Sequence, residues 1–173
     1  MPDNIQAILF DLGDTIMEEK SEVKDAGGTT LSAALIPGMA DVLRTLRLQG
    51  YHLALVADSR LETPVNVFRQ HGLLEVFEHL AVSENVGAEK PDPTIFLHAL
   101  EALGIPEQNY PHAIMVGNNL ERDIVGANRL GLRSVFFHAN DSRRTVAQNR
   151  EEIPRHTVAN AHELLMLVEA LSS

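Results

Sequence analysis

Apolar and polar positions fall in blocks along this chain rather than alternating residue by residue. Residues 5–12 form a nearly continuous apolar run, broken by Gln6 and ended by Asp11-Leu12. That is the pattern of a strand buried on both faces. Comparable short runs recur at 51–57, 79–83, 112–117 and 133–138, and Val158 marks a last short strand. Between them, apolar residues recur at helical spacing. A helix is predicted from Pro37-Gly38 to about Gln49, with Met39, Leu43 and Leu46 inward. Others are predicted over 62–71, over 93–103 with Ile95, Phe96, Ala99, Leu100 and Leu103 inward, over Arg122–Leu130 and over Ala161–Leu171. Gly50, Gly72, Gly104 and Gly131 stand where four of these should stop.

Strands alternating with helices predict a mainly parallel, Rossmann-like sheet with helices on both faces and right-handed crossovers. The expected fold class is therefore α/β, a three-layer α/β/α sandwich forming one domain over residues 1–173. Two polar segments interrupt the rhythm. Residues 16–36 carry Glu18-Glu19-Lys20 and Gly27-Gly28-Thr29-Thr30 and are expected to form an exposed loop or hairpin-like flap, with Asp25, Gly27 and Gly28 shaping a turn. Residues 139–155 are expected to be irregular or partly helical.

Composition narrows the field. With 173 residues, 45% hydrophobic and 5% aromatic, the chain can build an aliphatic core. It has no cysteine, which excludes disulfides, thiolate zinc sites and cysteine catalysis and fits a reducing cytoplasm, the expected location. The net charge of −10 argues against nucleic-acid partners and against an anionic membrane surface. No apolar stretch approaches the ~18 residues a membrane span needs, and Met1-Pro2-Asp3-Asn4 lacks the basic and apolar regions of a signal peptide. In so acidic a chain, a phosphorylated substrate needs local positive charge or a bound cation. The eight histidines show no metal-ligand spacing.

The chemistry gathers at strand ends. Asp11 follows the first predicted strand, Asp58-Ser59 the second, and Asn118-Asn119 the fourth, with Asp123 just beyond; Lys90 precedes a helix. Ligands of open α/β sheets bind at the carboxyl ends of strands. Carboxylates and a lysine brought together there are costly unless a cation or anion sits among them. Phosphoryl transfer needs such a set: a nucleophile, a divalent cation and a lysine.

Four segments make the chain resemble the haloacid dehalogenase (HAD) superfamily: Asp11-Leu-Gly-Asp-Thr15, Val56-Ala57-Asp58-Ser59, Gly87-Ala-Glu-Lys90-Pro-Asp and Val116-Gly-Asn-Asn-Leu-Glu-Arg-Asp123. The resemblance covers roughly residues 5–137 in order and spacing. It implies that Asp11 is a nucleophile that becomes phosphorylated, with Lys90 pairing it. It also implies Mg²⁺ held by Asp11, the Gly13 carbonyl, Asn118 and Asp123. The positions it assigns to the substrate phosphate are Ala57, Asp58, Ser59, Lys90 and Asn119. The usual acid/base, two residues after the nucleophile, is Gly13 here; Asp14 is the candidate replacement, against a capping or loop-stabilising role. Ala57 stands where Ser or Thr is usual, and Asn118 where an acid is usual.

Residues 16–36 are hairpin-sized and 60–86 are used by a helix and a strand, so no cap domain is expected. An open site would admit a large substrate, or be closed by the flap or by a second subunit of a homo-oligomer. Arg60 and Arg122 lie next to the motifs, either as surface residues or as contacts to a substrate anion. The expected function is a Mg²⁺-dependent phosphohydrolase acting through an aspartyl-phosphate at Asp11, on a phosphorylated substrate the sequence does not name. The alternatives are a degenerate binding or structural member, or a hydrolase of another kind such as a dehalogenase.

Overall fold

The computed structural model describes residues 4–173; residues 1–3, on which the signal-peptide reading partly rests, lie outside them. Eight strands and six α-helices run in the order β1 (Ala7–Phe10), β2 (Val23–Lys24), β3 (Thr30–Ser32), α1 (Met39–Leu48), β4 (His52–Ala57), α2 (Glu62–His71), β5 (His79–Val82), α3 (Ser83–Val86), α4 (Pro93–Ala102), β6 (Ala113–Gly117), α5 (Val125–Leu130), β7 (Arg133–Phe137), β8 (His156–Val158) and α6 (Ala161–Leu171). Six of the strands form one sheet in the order β5-β4-β1-β6-β7-β8, every pairing parallel. Counted within that sheet, the order is 3-2-1-4-5-6, the Rossmann arrangement. Its topological switch point lies between the first strand and its neighbour β6.

The blocks of apolar sequence become two large cores and a small cluster of Leu120, Ile124 and Phe136. Along β1, Ile8 and Phe10 face one way and Ala7 and Leu9 the other, as successive strand side chains must. Ile8 and Phe10 pack with Met39, Leu43 and Leu46 of α1, Val67 and Phe68 of α2, and Leu164 and Val168 of α6. Ala7 and Leu9 pack with Ile95, Phe96, Ala99 and Leu100 of α4 and Ala127 of α5. Helices thus cover both faces, giving the expected α/β/α layers, and the described residues form no cap domain. None of the helices among the described residues is long and apolar enough to cross a membrane.

The polar segment 16–36 is a hairpin, β2 against β3, turned by Asp25, whose Oδ1 accepts from Gly27 N–H and Thr29 N–H at 2.9 Å each. It is pinned to α2: Thr30 N–H donates to Thr63 Oγ1, Asn66 Nδ2 to Thr30 O, and Ala33 N–H to Gln70 Oε1. At its turn, Arg60 donates to Thr29 Oγ1 at 2.9 Å.

Two local features went beyond the periodicity. Helix α3 has four residues, too few for a helical repeat to register. The helix expected from Arg122 begins earlier, as a π-helical turn over Leu120–Ile124 capped by Asn119, and continues into α5. Extra residues inserted into a turn in this way are frequent at functional sites. Residues 139–155 are irregular as expected, with one 3₁₀ turn at Arg150–Glu152.

That irregular segment is held by Arg144. Its guanidinium donates to both oxygens of Glu152 at 2.7 and 2.9 Å and to Glu121 Oε1, on the π turn, at 2.8 Å. Glu152 is buried, and it also accepts from Gln148 N–H. The Arg144 hydrogen bonds, followed by that of Gln148, lower the Glu152 carboxyl from 4.5 to about 2. A carboxyl depressed on folding stabilises fully above its unfolded value and loses that contribution as the pH falls through the folded one. The thermal midpoint of Glu152→Gln should therefore trail the wild type by a constant gap above pH 4.5 and converge on it as the pH falls toward 2. Paired melting curves across that range check this; a gap that persists unchanged to pH 2 would contradict it.

Candidate active site

The carboxyl edge of the sheet at its switch point is where β1, β4 and β6 run out into loops. Asp11 N–H still donates to Val116 O at 2.9 Å, so the first residue past β1 is locked beside the end of β6. Its carboxylate enters a cavity of about 500 Å³. Gly13, Ala57, Asp58, Ser59, Lys90, Asn119 and Asp123, all singled out in the sequence, line the same cavity.

Lys90 organises it. Its ammonium is 2% exposed and sits 2.8 Å from Asp11 Oδ1, 2.6 Å from Asp123 Oδ1 and 2.8 Å from Val56 O. Asp11 Oδ1 and Val56 O accept hydrogen bonds from it, and Asp123 is held as an ion pair. Burial alone would lower the lysine pKa; the charges of Asp11, Asp123 and Asp58 outweigh it and hold the group above its ordinary value, so it stays protonated. Asp123 is fully buried, and burial, then the charge of Asp11, pushes its carboxyl up against the pull of Lys90. Its Oδ2 accepts from Asn119 N–H at 3.1 Å. Gly117 makes this approach possible: a Cβ there would stand 2.2 Å from Asp123 Oδ2 and 2.4 Å from its Cγ.

Asp58 fastens two loops rather than capping its own turn. Oδ1 accepts from Lys90 N–H and Oδ2 from Arg122 at 2.9 Å each, and Arg122 also lies 3.5 Å from Glu89. Ser59 spends its hydroxyl on Arg60 O. Ala57 offers no hydrogen bond from its side chain. Asn119 Oδ1 is taken by the N–H groups of Glu121 and Arg122. Of the residues expected to hold a substrate phosphate, only Lys90 presents a charged donor, and that one is shared among its partners.

Two expected site residues do not line the cavity. Asn118 is buried behind it, and its Oδ1 has no hydrogen-bond partner. Asp14 is turned away, in the left-handed backbone region at φ 52°, a conformation Asp tolerates. Its Oδ1 accepts from Glu19 N–H at 3.0 Å and its Oδ2 from the Ser142 hydroxyl at 2.8 Å. Adjacent side chains point apart, and Asp14 holds a loop instead of facing Asp11.

Glu19 and Arg143 were not legible in the sequence. Both line the cavity, and Arg143 pairs Glu19 Oε1 at 3.0 Å. Burial raises the Glu19 carboxyl; Arg143 pulls it down, while Asp14 and Asp11 add to the rise. Only the charged triplet Glu18-Glu19-Lys20 drew notice to Glu19, and nothing pointed to Arg143, 124 positions away. In all, five carboxylates and five Lys or Arg side chains line the cavity, so it is balanced in charge within a chain of net charge −10.

For a divalent cation, the available donors are the Asp11 and Asp123 carboxylates, the Gly13 carbonyl and the orphaned Asn118 Oδ1. Mg²⁺ is commonly bound by one or two carboxylates with the rest supplied by water and substrate. A buried amide oxygen without a donor is what such a site leaves to be satisfied. The residues therefore fit the ion. Among the described residues no group of three or more His, Cys, Asp or Glu side chains is gathered to hold a metal ion, at this site or elsewhere.

Most of the chain is similar to known proteins. The family model of haloacid dehalogenase-like hydrolases matches residues 28–131. The glyceraldehyde 3-phosphate phosphatase of Methanopyrus kandleri is 31% identical over 79% of this chain and 57% of its own length. That of Pyrococcus abyssi is 38% identical over 59% of this chain and 42% of its own. The chain thus spans about half the length of these relatives. A HAD phosphatase from Thermococcus onnurineus superposes with a TM-score of 0.78 at 20% identity, covering 96% of this chain and 99% of that one. A 2-haloacid dehalogenase from Pseudomonas syringae gives 0.65 at 23% identity, over 79% and 54%. At those identities the likeness is one of fold, shared by phosphatases and dehalogenases alike.

Removing the ammonium should expose what it holds together. Lys90→Met leaves Asp11 and Asp123 facing each other and Val56 O without its donor, and breaking a buried charged group costs about 3–5 kcal/mol. Urea unfolding of Lys90→Met should show a loss of that order, and a change below ~1 kcal/mol would contradict the charge assignment.

Proposed function

Because the chain belongs to the haloacid dehalogenase-like hydrolase family, we propose that it is a phosphohydrolase in which Asp11 attacks phosphorus and a Mg²⁺ ion assists. The observation that carries the reading is the Asp11 carboxylate held by the buried Lys90 ammonium on the wall of an otherwise charge-balanced cavity. Lys90 grips Oδ1 and so leaves Oδ2 to approach the phosphorus. A fixed carboxylate of this kind can become an aspartyl-phosphate. Relatives named as phosphatases of glyceraldehyde 3-phosphate and ribulose 1,5-bisphosphate support a phosphate monoester as substrate.

Asp11, the Gly13 carbonyl, Asn118 and Asp123 would hold the ion. Bound there, it would draw charge off the phosphoryl oxygens. The chain's own residues do the rest. Lys90 keeps Asp11 oriented and offsets its charge, Asp58 ties the Lys90 loop to Arg122, and the hairpin over residues 16–36 forms one wall that limits water.

A second reading is a fold-retaining binding protein with little turnover. Ala57, which lacks a hydroxyl for the phosphate, and Asn118, which lacks a charge for the metal, favour it. Hydrolysis of an aryl phosphate with millimolar Mg²⁺ separates the two. The wild type should turn over and Asp11→Asn should fall to background. No rate above Asp11→Asn across a broad panel of phosphate esters would sink the enzyme reading. If the missing charge at position 118 limits metal affinity, Asn118→Asp should lower the Mg²⁺ concentration needed for half-maximal rate; no change in that titration would remove Asn118 from the metal site.

A further inference from the structure

Phosphoryl transfer from an ester needs a proton for the departing oxygen, and Asp14, the sequence candidate, faces away. Five carboxylates line the cavity. Asp11 is the nucleophile of the proposed reaction. Asp123 is fully buried, with Lys90 on one oxygen and Asn119 N–H on the other. Asp58 has both oxygens bound. Glu22 is joined to the Thr30 hydroxyl inside the hairpin. That leaves Glu19.

Glu19 is also placed for the task. Its carboxylate fills the space a side chain at position 13 would occupy: a Cβ on Gly13 would stand 2.2 Å from Glu19 Oε1 and 2.9 Å from its Cδ. Position 13 is two residues beyond Asp11, on the same loop and the same cavity wall. The placement is enforced from two sides. The Asp14 carboxylate accepts Glu19 N–H at 3.0 Å and anchors the short 3₁₀ turn Glu19–Ser21. Arg143 holds Oε1 at 3.0 Å and leaves Oε2 without a protein partner among the described residues.

We propose that Glu19 is the acid/base of this site, entering from the 16–36 hairpin into room that Gly13 leaves empty, with Asp14 as its positioning residue. The proposal rests on the phosphohydrolase reading above. In the first half-reaction Asp11 Oδ2 bonds to phosphorus, the bond from phosphorus to the ester oxygen breaks, and that oxygen takes the proton from Glu19. In the second, the Glu19 carboxylate takes a proton from water as the water oxygen bonds to phosphorus. The bond from phosphorus to Asp11 breaks, releasing inorganic phosphate and restoring both carboxyl groups.

The same geometry overturns a simple repair. An aspartate placed at position 13 in the wild type would collide with the Glu19 carboxylate, so Gly13→Asp alone displaces one acid to install another.

The test uses two esters with Mg²⁺: an alkyl phosphate, whose leaving oxygen needs a proton, and 4-nitrophenyl phosphate, whose leaving group departs without one. In Glu19→Gln, turnover of the alkyl ester should fall by about 10²–10⁴. The first equivalent of nitrophenolate should still appear within about tenfold of the wild-type rate, as a burst followed by slow turnover, because release of phosphate from Asp11 also needs the base. Gly13→Asp combined with Glu19→Ala should recover alkyl-ester turnover. Equal losses on both esters with no burst, or wild-type rates on both, overturn the assignment of Glu19. Asp11→Asn separates the two levels of inference: nitrophenolate release at the wild-type rate in that variant, or no turnover of either ester by the wild type, overturns the phosphohydrolase reading and Glu19 with it.

Discussion

One buried ammonium holds the functional end of this protein together. Lys90 lies on a loop between α3 and α4, yet its Nζ joins the end of β1 through Asp11, the end of β4 through Val56 O and the helical turn after β6 through Asp123. A lysine so buried is tolerated only where charges and carbonyls replace water, and Asp11, Asp123 and Val56 O do so here. The cost of gathering two carboxylates at a strand edge and the cost of burying a lysine offset each other. Remove either side and the other is left uncompensated.

Around that contact the chain economises on side chains. Gly117 brings the backbone close enough for Asp123 to reach both Lys90 and Asn119 N–H, and Gly13 clears the volume that Glu19 enters. Both glycines lie just beyond or at the end of central strands, where loops meet the cavity. The hairpin over residues 16–36 supplies a wall instead of a separate domain. Its hydrogen bonds to α2, and the bridge from Arg143 to Glu19, fix that wall from opposite ends of the sequence.

The departures at the site have unequal structural weight. Ala57 simply withdraws a hydroxyl, and Ser59, spent on Arg60 O, does not supply one. Asn118 keeps an oxygen in place but without charge, and that oxygen is left unpartnered in the protein. Gly13 is the departure that the rest of the fold answers, through Glu19. Asp14, the obvious substitute one residue on, is drawn off by Ser142 and the Glu19 N–H instead.

The sequence by itself determined the layered α/β fold, because blocks of apolar residues at strand length and helical spacing admit few other arrangements. It also placed Asp11 and Asp58 where β1 and β4 run out, since a charged residue is not accommodated in a strand buried on both faces, whereas Lys90 and Asp123 were singled out by the motifs they sit in. Element boundaries were legible where a proline opened or a glycine closed a period, as at Pro93 and Gly72. The four-residue α3 and the π turn at Leu120–Ile124 were not, because neither repeats long enough to leave a period. Only the tertiary structure decided which way each side chain on a loop points. Asp14 turns from the cavity while Glu19, five residues later, turns into it. Arg143 reaches Glu19 across 124 positions. Those choices rest on hydrogen bonds and free volume between segments remote in sequence, and a local pattern carries no record of them.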